Sequence, residues 1–379
     1  MESLTASNTA FALELFRALS HEEPTANLLI SPFSMSLALA MVFLGTRGST
    51  KEQMAKTLHF DTVKEVHSRF QSLISDINKH GALHILKVAN RLYGEKTYKF
   101  FPEFLDSIQK MYGAELASVD FQNASEEARQ TINEWVKGQT EGKIPELLTE
   151  AVVDSMAKLL LVNAIYFKGK WKQTFPVQDS HEAPFRVNKK EIRKVIMMHQ
   201  KNKFPVGYNK DLKFSTLELP YQGIAFSMFI LLPDEDKDLT TGLQEIEKHI
   251  HLENLKEWMK PENMPVKFVN VYLPRFKLKE KYTLNSHLAH MGLAQLFDPS
   301  QADLSGMSGD RDLFISKIVH KSFVEVDEEG TEMDVTPVNN VLLCMQEPVV
   351  DFKADHPFIF YILDKSSHNI LFLGKVARP

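Results

Sequence analysis

The stretch from Phe323 to Pro357 limits what this chain can fold into more than any other. It opens as an alternating strand, Phe323-Val324-Glu325-Val326, and breaks at Asp327-Glu328-Glu329-Gly330. About thirty residues without a helical or strand period follow, until His356-Pro357-Phe358-Ile359-Phe360-Tyr361 resumes as strand. Connections that long are uncommon in compact domains unless they serve as binding loops or are disordered. Disorder does not fit the composition, because Val341-Leu342-Leu343-Cys344-Met345 lies inside the stretch. An apolar tip on a long tether is a feature for another protein to grip.

Composition narrows the function classes. The chain has 379 residues, 44% hydrophobic and 25% charged, with no Gly/Ser/Pro-rich linker or charge block to divide it, so one domain over 1–379 is expected. A net charge of −5 gives no footprint for nucleic acid. The short basic clusters at Lys189-Lys190, Lys201 to Lys203 and Lys277 to Lys281 read as solvated faces, with a weak polyanion patch as the alternative. One cysteine excludes an internal disulfide and fits a reducing compartment. Met1-Glu2-Ser3-Leu4 carries no basic segment before an apolar run, and the apolar stretch Leu28 to Leu44 is interrupted by Ser31-Pro32, Ser34 and Ser36. The expected location is cytoplasmic, or outside the cell by release without a signal peptide, with no membrane partner.

Periodicity predicts helices early and strands later. Asn8 to Leu19 carries the stripe Phe11, Leu13, Leu15, Phe16 and Leu19. After the short strand Leu28-Leu29-Ile30, Ser31-Pro32 reads as a cap and first turn of a helix that stops at Gly45. Ser125 is expected to cap a helix running to Lys137. Strands are expected at Leu159 to Phe167, Ile192 to Met198, Phe214 to Leu219, Phe226 to Leu232, Phe268 to Phe276 and Ile315 to Val326. A closing hairpin spans Phe358 to Leu363 and Ile370 to Val376.

Catalytic motifs are missing from the sequence. Ser305-Gly306-Met307-Ser308-Gly309-Asp310 lacks the last glycine of a nucleophile elbow, and both His21-Glu22-Glu23-Pro24 and His181-Glu182-Ala183-Pro184 run into proline. No phosphate-binding glycine loop occurs, and one cysteine cannot build a thiolate cage. Cys344 lies among Leu342, Leu343 and Met345, where no base or cation lowers its pKa. An enzyme, a metal and a cofactor are all unexpected.

The segments around the long loop carry a family resemblance. Asn163-Ala164-Ile165-Tyr166-Phe167-Lys168-Gly169-Lys170-Trp171, Leu273-Pro274-Arg275-Phe276, Asp303-Leu304-Ser305-Gly306-Met307, His320-Lys321-Ser322-Phe323-Val324-Glu325-Val326 and Ala354-Asp355-His356-Pro357-Phe358 resemble, in order, the signatures of the serpins. The start at Met1, the lone cysteine and the end at Pro379 resemble the intracellular ovalbumin-like branch. Asn90-Arg91-Leu92-Tyr93-Gly94, Val119-Asp120-Phe121 and Trp135 to Pro145 resemble its elastase-inhibiting members.

That resemblance implies a mixed α/β (α+β) fold of three β-sheets and about nine helices, with an exposed reactive-centre loop over about 328–353. It implies a monomer that traps serine proteases of the elastase, chymotrypsin or cathepsin G type: the loop is cut, the acyl-enzyme persists, and the loop inserts as a new strand of the main sheet. Residue by residue, Cys344-Met345 aligns with the cleaved bond, with Leu342 and Leu343 as upstream subsites. Ser31, Ser34, Asn163 and His320 match the polar "shutter" where the sheet parts, and Trp171 matches the "breach" where insertion begins. Glu328, Glu329, Gly330 and Thr331 match the hinge, but Met333, Asp334, Val335 and Pro337 replace the alanines common there. With insertion starting at Thr331, period two places Thr331, Met333, Val335 and Pro337 on one face. Pro337 removes a ladder donor, and an unpaired carbonyl costs about 1–3 kcal/mol. A whole new strand gains more, so insertion stays downhill but slows, and the expectation is an impaired inhibitor. The alternative is a non-inhibitory member that is cleaved as a substrate or binds a partner.

Overall fold

Apolar residues at helical spacing make the first part of the chain helical, and alternating or fully apolar runs make the remainder mostly sheet. The computed structural model describes residues 2–80, 84–234, 239–328 and 348–379. In chain order the elements are α1 (Glu2–Glu22), β1 (Leu28–Ile30), α2 (Pro32–Gly45), α3 (Gly48–Thr57), α4 (Val66–His80), β2 (His84–Glu95), α5 (Pro102–Tyr112), β3 (Leu116–Val119) and α6 (Phe121–Gln139). Next come β4 (Leu159–Gly169), β5 (His181–Arg186), β6 (Ile192–Asn209), β7 (Phe214–Pro220), β8 (Phe226–Pro233), α7 (Leu239–His249) and α8 (Leu252–Trp258). The chain continues as β9 (Val266–Pro274), β10 (Phe276–Thr283), α9 (Asn285–Leu288), β11 (Ile315–Val326), β12 (Val350–Lys353), β13 (Phe358–Asp364) and β14 (Asn369–Val376).

A five-stranded sheet has the order β10-β11-β4-β2-β3. The other strands follow the order β1-β14-β13-β8-β7-β6-β9-β12, with β5 also on β6. That second path is two sheets joined by β6. Met197 to Pro205 pairs with β9, whereas Val206 to Asn209 pairs with β7. The three sheets and nine α-helices among the described residues agree with the expected mixed architecture. One hydrophobic cluster runs through both paths, and a second lies under α6 around Tyr93, Phe121, Ile132 and Leu160.

Four local expectations need correction. The helix expected from Ser125 begins at Phe121, because two carboxylates hold its first turn. Asp120 accepts the Asn123 N–H at 2.9 Å, and the buried Glu95 accepts those of Phe121 and Gln122 at 2.7 and 3.1 Å. Ala124 inside it is non-helical. The strand expected over Phe268 to Phe276 divides at Arg275, where the chain leaves one sheet for another as β9 gives way to β10. The expected loop is shorter at its far end, because Val350 to Lys353 pair in parallel with Val269 to Tyr272. Finally, β2, β3 and β5 carry no clean alternation and were not expected as strands.

Candidate functional site

The centre of the five-stranded sheet holds an unusual junction. β11 and β4 pair in parallel from Ile315↔Leu159 to Val324↔Phe167, while their outer neighbours β10 and β2 are antiparallel to them. No strand lies between them along that register. β4 is a nearly continuous apolar run, as a strand covered on both faces must be, whereas β11 alternates between buried and half-buried positions.

A buried polar row crosses this junction. His320 of β11 lies opposite Asn163 of β4, which lies opposite Asn90 of β2. The Ser31 backbone N–H points at His320 Nε2 at 3.1 Å, so Nε2 must accept and the ring proton sits on Nδ1. Nδ1–H donates to Asn163 Oδ1, and the Ser322 hydroxyl lies 2.7 Å from Nε2. Asn163 Nδ2 donates to the Ser34 carbonyl at 3.1 Å and contacts Ser34 Oγ and Asn90 Oδ1. The Ser31 hydroxyl donates to the Leu371 carbonyl at 2.6 Å and caps α2 by accepting the Ser34 N–H. Ser31-Pro32 thus starts the helix and ties its first turn to two sheets. Burial lowers the His320 pKa to about 3, so the ring is neutral at neutral pH.

Above Phe167 and Val324 the parallel ladder ends and side chains take over. Lys168 Nζ reaches Asp327 at 2.8 Å and Glu325 at 3.8 Å, and Lys277 reaches Glu325 at 2.8 Å. Trp171 Nε1–H donates to the Asp327 carbonyl at 2.9 Å. Its ring stacks on Tyr221, centroids 4.5 Å apart. Gly169 permits this: a Cβ there would lie 2.6 Å from the Tyr221 ring. Glu328 is only 4% exposed. Its carbonyl accepts the Phe175 N–H at 2.9 Å, and its carboxylate binds Arg275 at 2.6 Å. Burial pushes that carboxyl up, but Arg275 and further hydrogen bonds bring it below the usual carboxylate range. Glu328 is therefore a fixed post at the sheet's end.

The structure brings Ser31, Ser34, Asn163 and His320 into one network and sets Trp171 against the Asp327 carbonyl. Asn90 and Ser322 join the network without having been singled out; both lie in motifs quoted above, but only register shows the contact. Arg275, Lys168 and Tyr221 likewise emerge only from the fold. Glu329, Gly330, Thr331, Met333, Asp334, Val335, Pro337, Leu342, Leu343, Cys344 and Met345 lie outside the described residues. Among the described residues, no three His, Cys, Asp or Glu gather as metal ligands, and no helix is long and apolar enough to cross a membrane.

Comparison with known proteins points one way. The family model described as Serpin (serine protease inhibitor) matches residues 6–379. The chain is 63% identical to the leukocyte elastase inhibitor of Homo sapiens and 61% identical to leukocyte elastase inhibitor A of Rattus norvegicus, each over 379 residues and 100% of both chains. Among solved structures, uncleaved ovalbumin matches with a TM-score of 0.93 at 37% identity, and a tumour-suppressing serpin with 0.91 at 35%, each over 100% of both chains. With its signatures, its central parallel junction and these matches in agreement, the chain belongs to the serpin family.

Proposed function

We propose that this chain inhibits serine proteases as a suicide substrate, cleaved between Cys344 and Met345 and trapping the acyl-enzyme by strand insertion. The observation that carries this reading is the parallel β4/β11 pair. A segment that leaves the end of β11 and folds back runs antiparallel to β11, and hence to β4 as well. Insertion would replace one parallel pairing with two antiparallel ones, which are slightly more stable per residue and add a whole ladder of bonds. Glu328 fixes the segment's start at the mouth of that junction.

Leu342, Leu343 and Cys344 offer apolar or thiol side chains to the protease, which suits elastase-like, chymotrypsin-like and cathepsin G-like pockets and gives nothing to an acidic trypsin-like pocket. The protein acts as a monomer in the cytoplasm, without cofactor or metal. Met333 and Pro337 slow insertion, so a fraction of encounters ends in hydrolysis. Mixing the protein with elastase, chymotrypsin and cathepsin G and running a denaturing gel tests this. An SDS-stable complex with at least one is expected, alongside cleaved inhibitor. Quantitative loop cleavage with no complex would favour the non-inhibitory reading that the hinge sequence raises.

A further inference from the structure

The edge strand β10 carries a carboxyl where its pattern calls for an apolar residue. Phe276 and Leu278 are buried and Lys277 and Lys279 are exposed, so period two turns Glu280 and Tyr282 inward with the apolar pair. An inward carboxylate needs a counter-charge or a hydrogen bond. Among the described residues neither reaches Glu280. It lines a cleft of about 610 Å³ between the end of α1, the start of β1, β10, α9 and Arg378. Three cations border this cleft, and each is engaged elsewhere. His287 Nε2–H donates to the Glu22 carboxylate, Arg378 binds Glu191 at 3.0 Å, and Lys281 donates to Thr149 Oγ1 at 3.2 Å. The remaining charge, on the exposed Glu23, has the same sign as Glu280. Burial, with Glu23 adding to it, raises the Glu280 carboxyl to about 7.

Register sets this carboxyl beside the buried polar row. Glu280 lies opposite Ser322, and Tyr282 lies opposite His320. The Tyr282 hydroxyl accepts the Leu29 N–H at 3.2 Å, as His320 Nε2 accepts that of Ser31. β1 and the start of α2 therefore hang from β10 and β11 by two backbone N–H groups, and the outer one sits two residues from Glu280. We propose that the cleft is a pH-sensitive clasp on the edge of the five-stranded sheet. With Glu280 neutral, α1 and β1 close on β10. With Glu280 ionised, repulsion from Glu23 and the pull of water on the carboxylate draw them apart and release the Leu29–Tyr282 bond. The closed cleft keeps the proton up to about pH 7, whereas the solvated carboxyl of the open cleft keeps its ordinary value of about 4.5. Opening thus becomes easier as the pH rises between these values, and no easier above them. β10 belongs to one half of the seam, so that half is held to β1 less firmly at neutral pH than at pH 5. The clasp is independent of what the loop binds.

Hydrogen exchange of the Leu29 amide in the full chain, divided by its intrinsic rate at each pH, reads the opening. From pH 5.5 to 7.5 the corrected rate of the wild type should rise about tenfold and then level off. Glu280→Gln cannot ionise and should hold the rate flat at its low-pH value. Glu23→Gln, a change at an exposed position that the fold tolerates, should shrink the rise and end it at a lower pH. Leu29 should exchange faster than the β13 amides throughout, as a local opening requires. A flat wild-type profile, or a rise that Glu280→Gln or Glu23→Gln leaves undiminished, would overturn the proposal. So would equal corrected rates at Leu29 and β13, which would make the opening global unfolding and leave no clasp.

Discussion

His320 is the residue on which the junction's chemistry turns. Its Nε2 already accepts the Ser31 N–H, so a proton there would displace that bond inside a fully buried site. The folded pKa, about 3, lies below the unfolded value of about 6.5, so between these values the unfolded chain binds the extra proton. Stability is therefore complete above about pH 6.5 and is lost as the pH falls toward 3. His67, held to about 4 by burial and by Lys51, acts with the same sign. Glu280, raised to about 7 by burial and Glu23, acts oppositely and loses its contribution as the pH rises through 7. Replacing His320→Gln isolates the first effect. Between pH 6 and 4 the variant's urea-unfolding free energy should change less steeply with pH than wild type, by about 1.4 kcal/mol per unit. Equal slopes would show that His320 is protonated without cost. Asn163→Ala should lose about 2 kcal/mol in the same assay, because the His320 Nδ1–H is left buried and unpaired. A loss under about 1 kcal/mol would contradict the network's role. Ser31, Ser34, Asn163 and His320 were legible in the sequence through motif resemblance, but Asn90 and Ser322 had no assignable role there. Their contacts depend on which strands become neighbours and in what register, and neither alternation nor composition carries that information.

At the scale of elements, legibility followed apolar patterning. β4, β8, β11, β13 and β14 are long apolar or alternating runs and stood out, as did α1 and α2 with the Ser31-Pro32 start. The edge strands β3, β5 and β12 did not, because short, mostly half-buried or exposed strands lack the pattern. The start of α6 was misplaced because Glu95, a distant residue in sequence, caps its first turn. On the proposed reading, the hinge residues Met333, Asp334, Val335 and Pro337, which stand where alanines were expected, act on the rate of insertion. Every 1.4 kcal/mol on the insertion barrier slows insertion about tenfold against a fixed rate of hydrolysis. Restoring alanine at Met333, Asp334, Val335 and Pro337 together should raise the fraction of protease captured as SDS-stable complex and reduce the cleaved inhibitor released per enzyme trapped. Pro337→Ala alone should give part of that gain. An unchanged partition would place the limit on trapping outside the hinge.

The whole molecule is organised around one seam. β10 and β11 lie on one side and β4, β2 and β3 on the other. Across it run the nine-pair ladder, the His320–Asn163 bond and the Lys168 and Trp171 contacts to residues 325–327. If the intact chain is held short of its lowest-energy arrangement, one added strand of about ten hydrogen bonds, at about 1 kcal/mol each, is available once the loop is cut. For 379 residues the unfolding entropy is about 0.8 kcal/mol/K, so that gain corresponds to a rise of about 12 °C in melting temperature. The most direct test is to nick the chain once between residues 340 and 347 and to melt nicked and intact protein side by side. A rise of about 10 °C or more is expected for the nicked form; an unchanged or lower melting temperature would contradict the account.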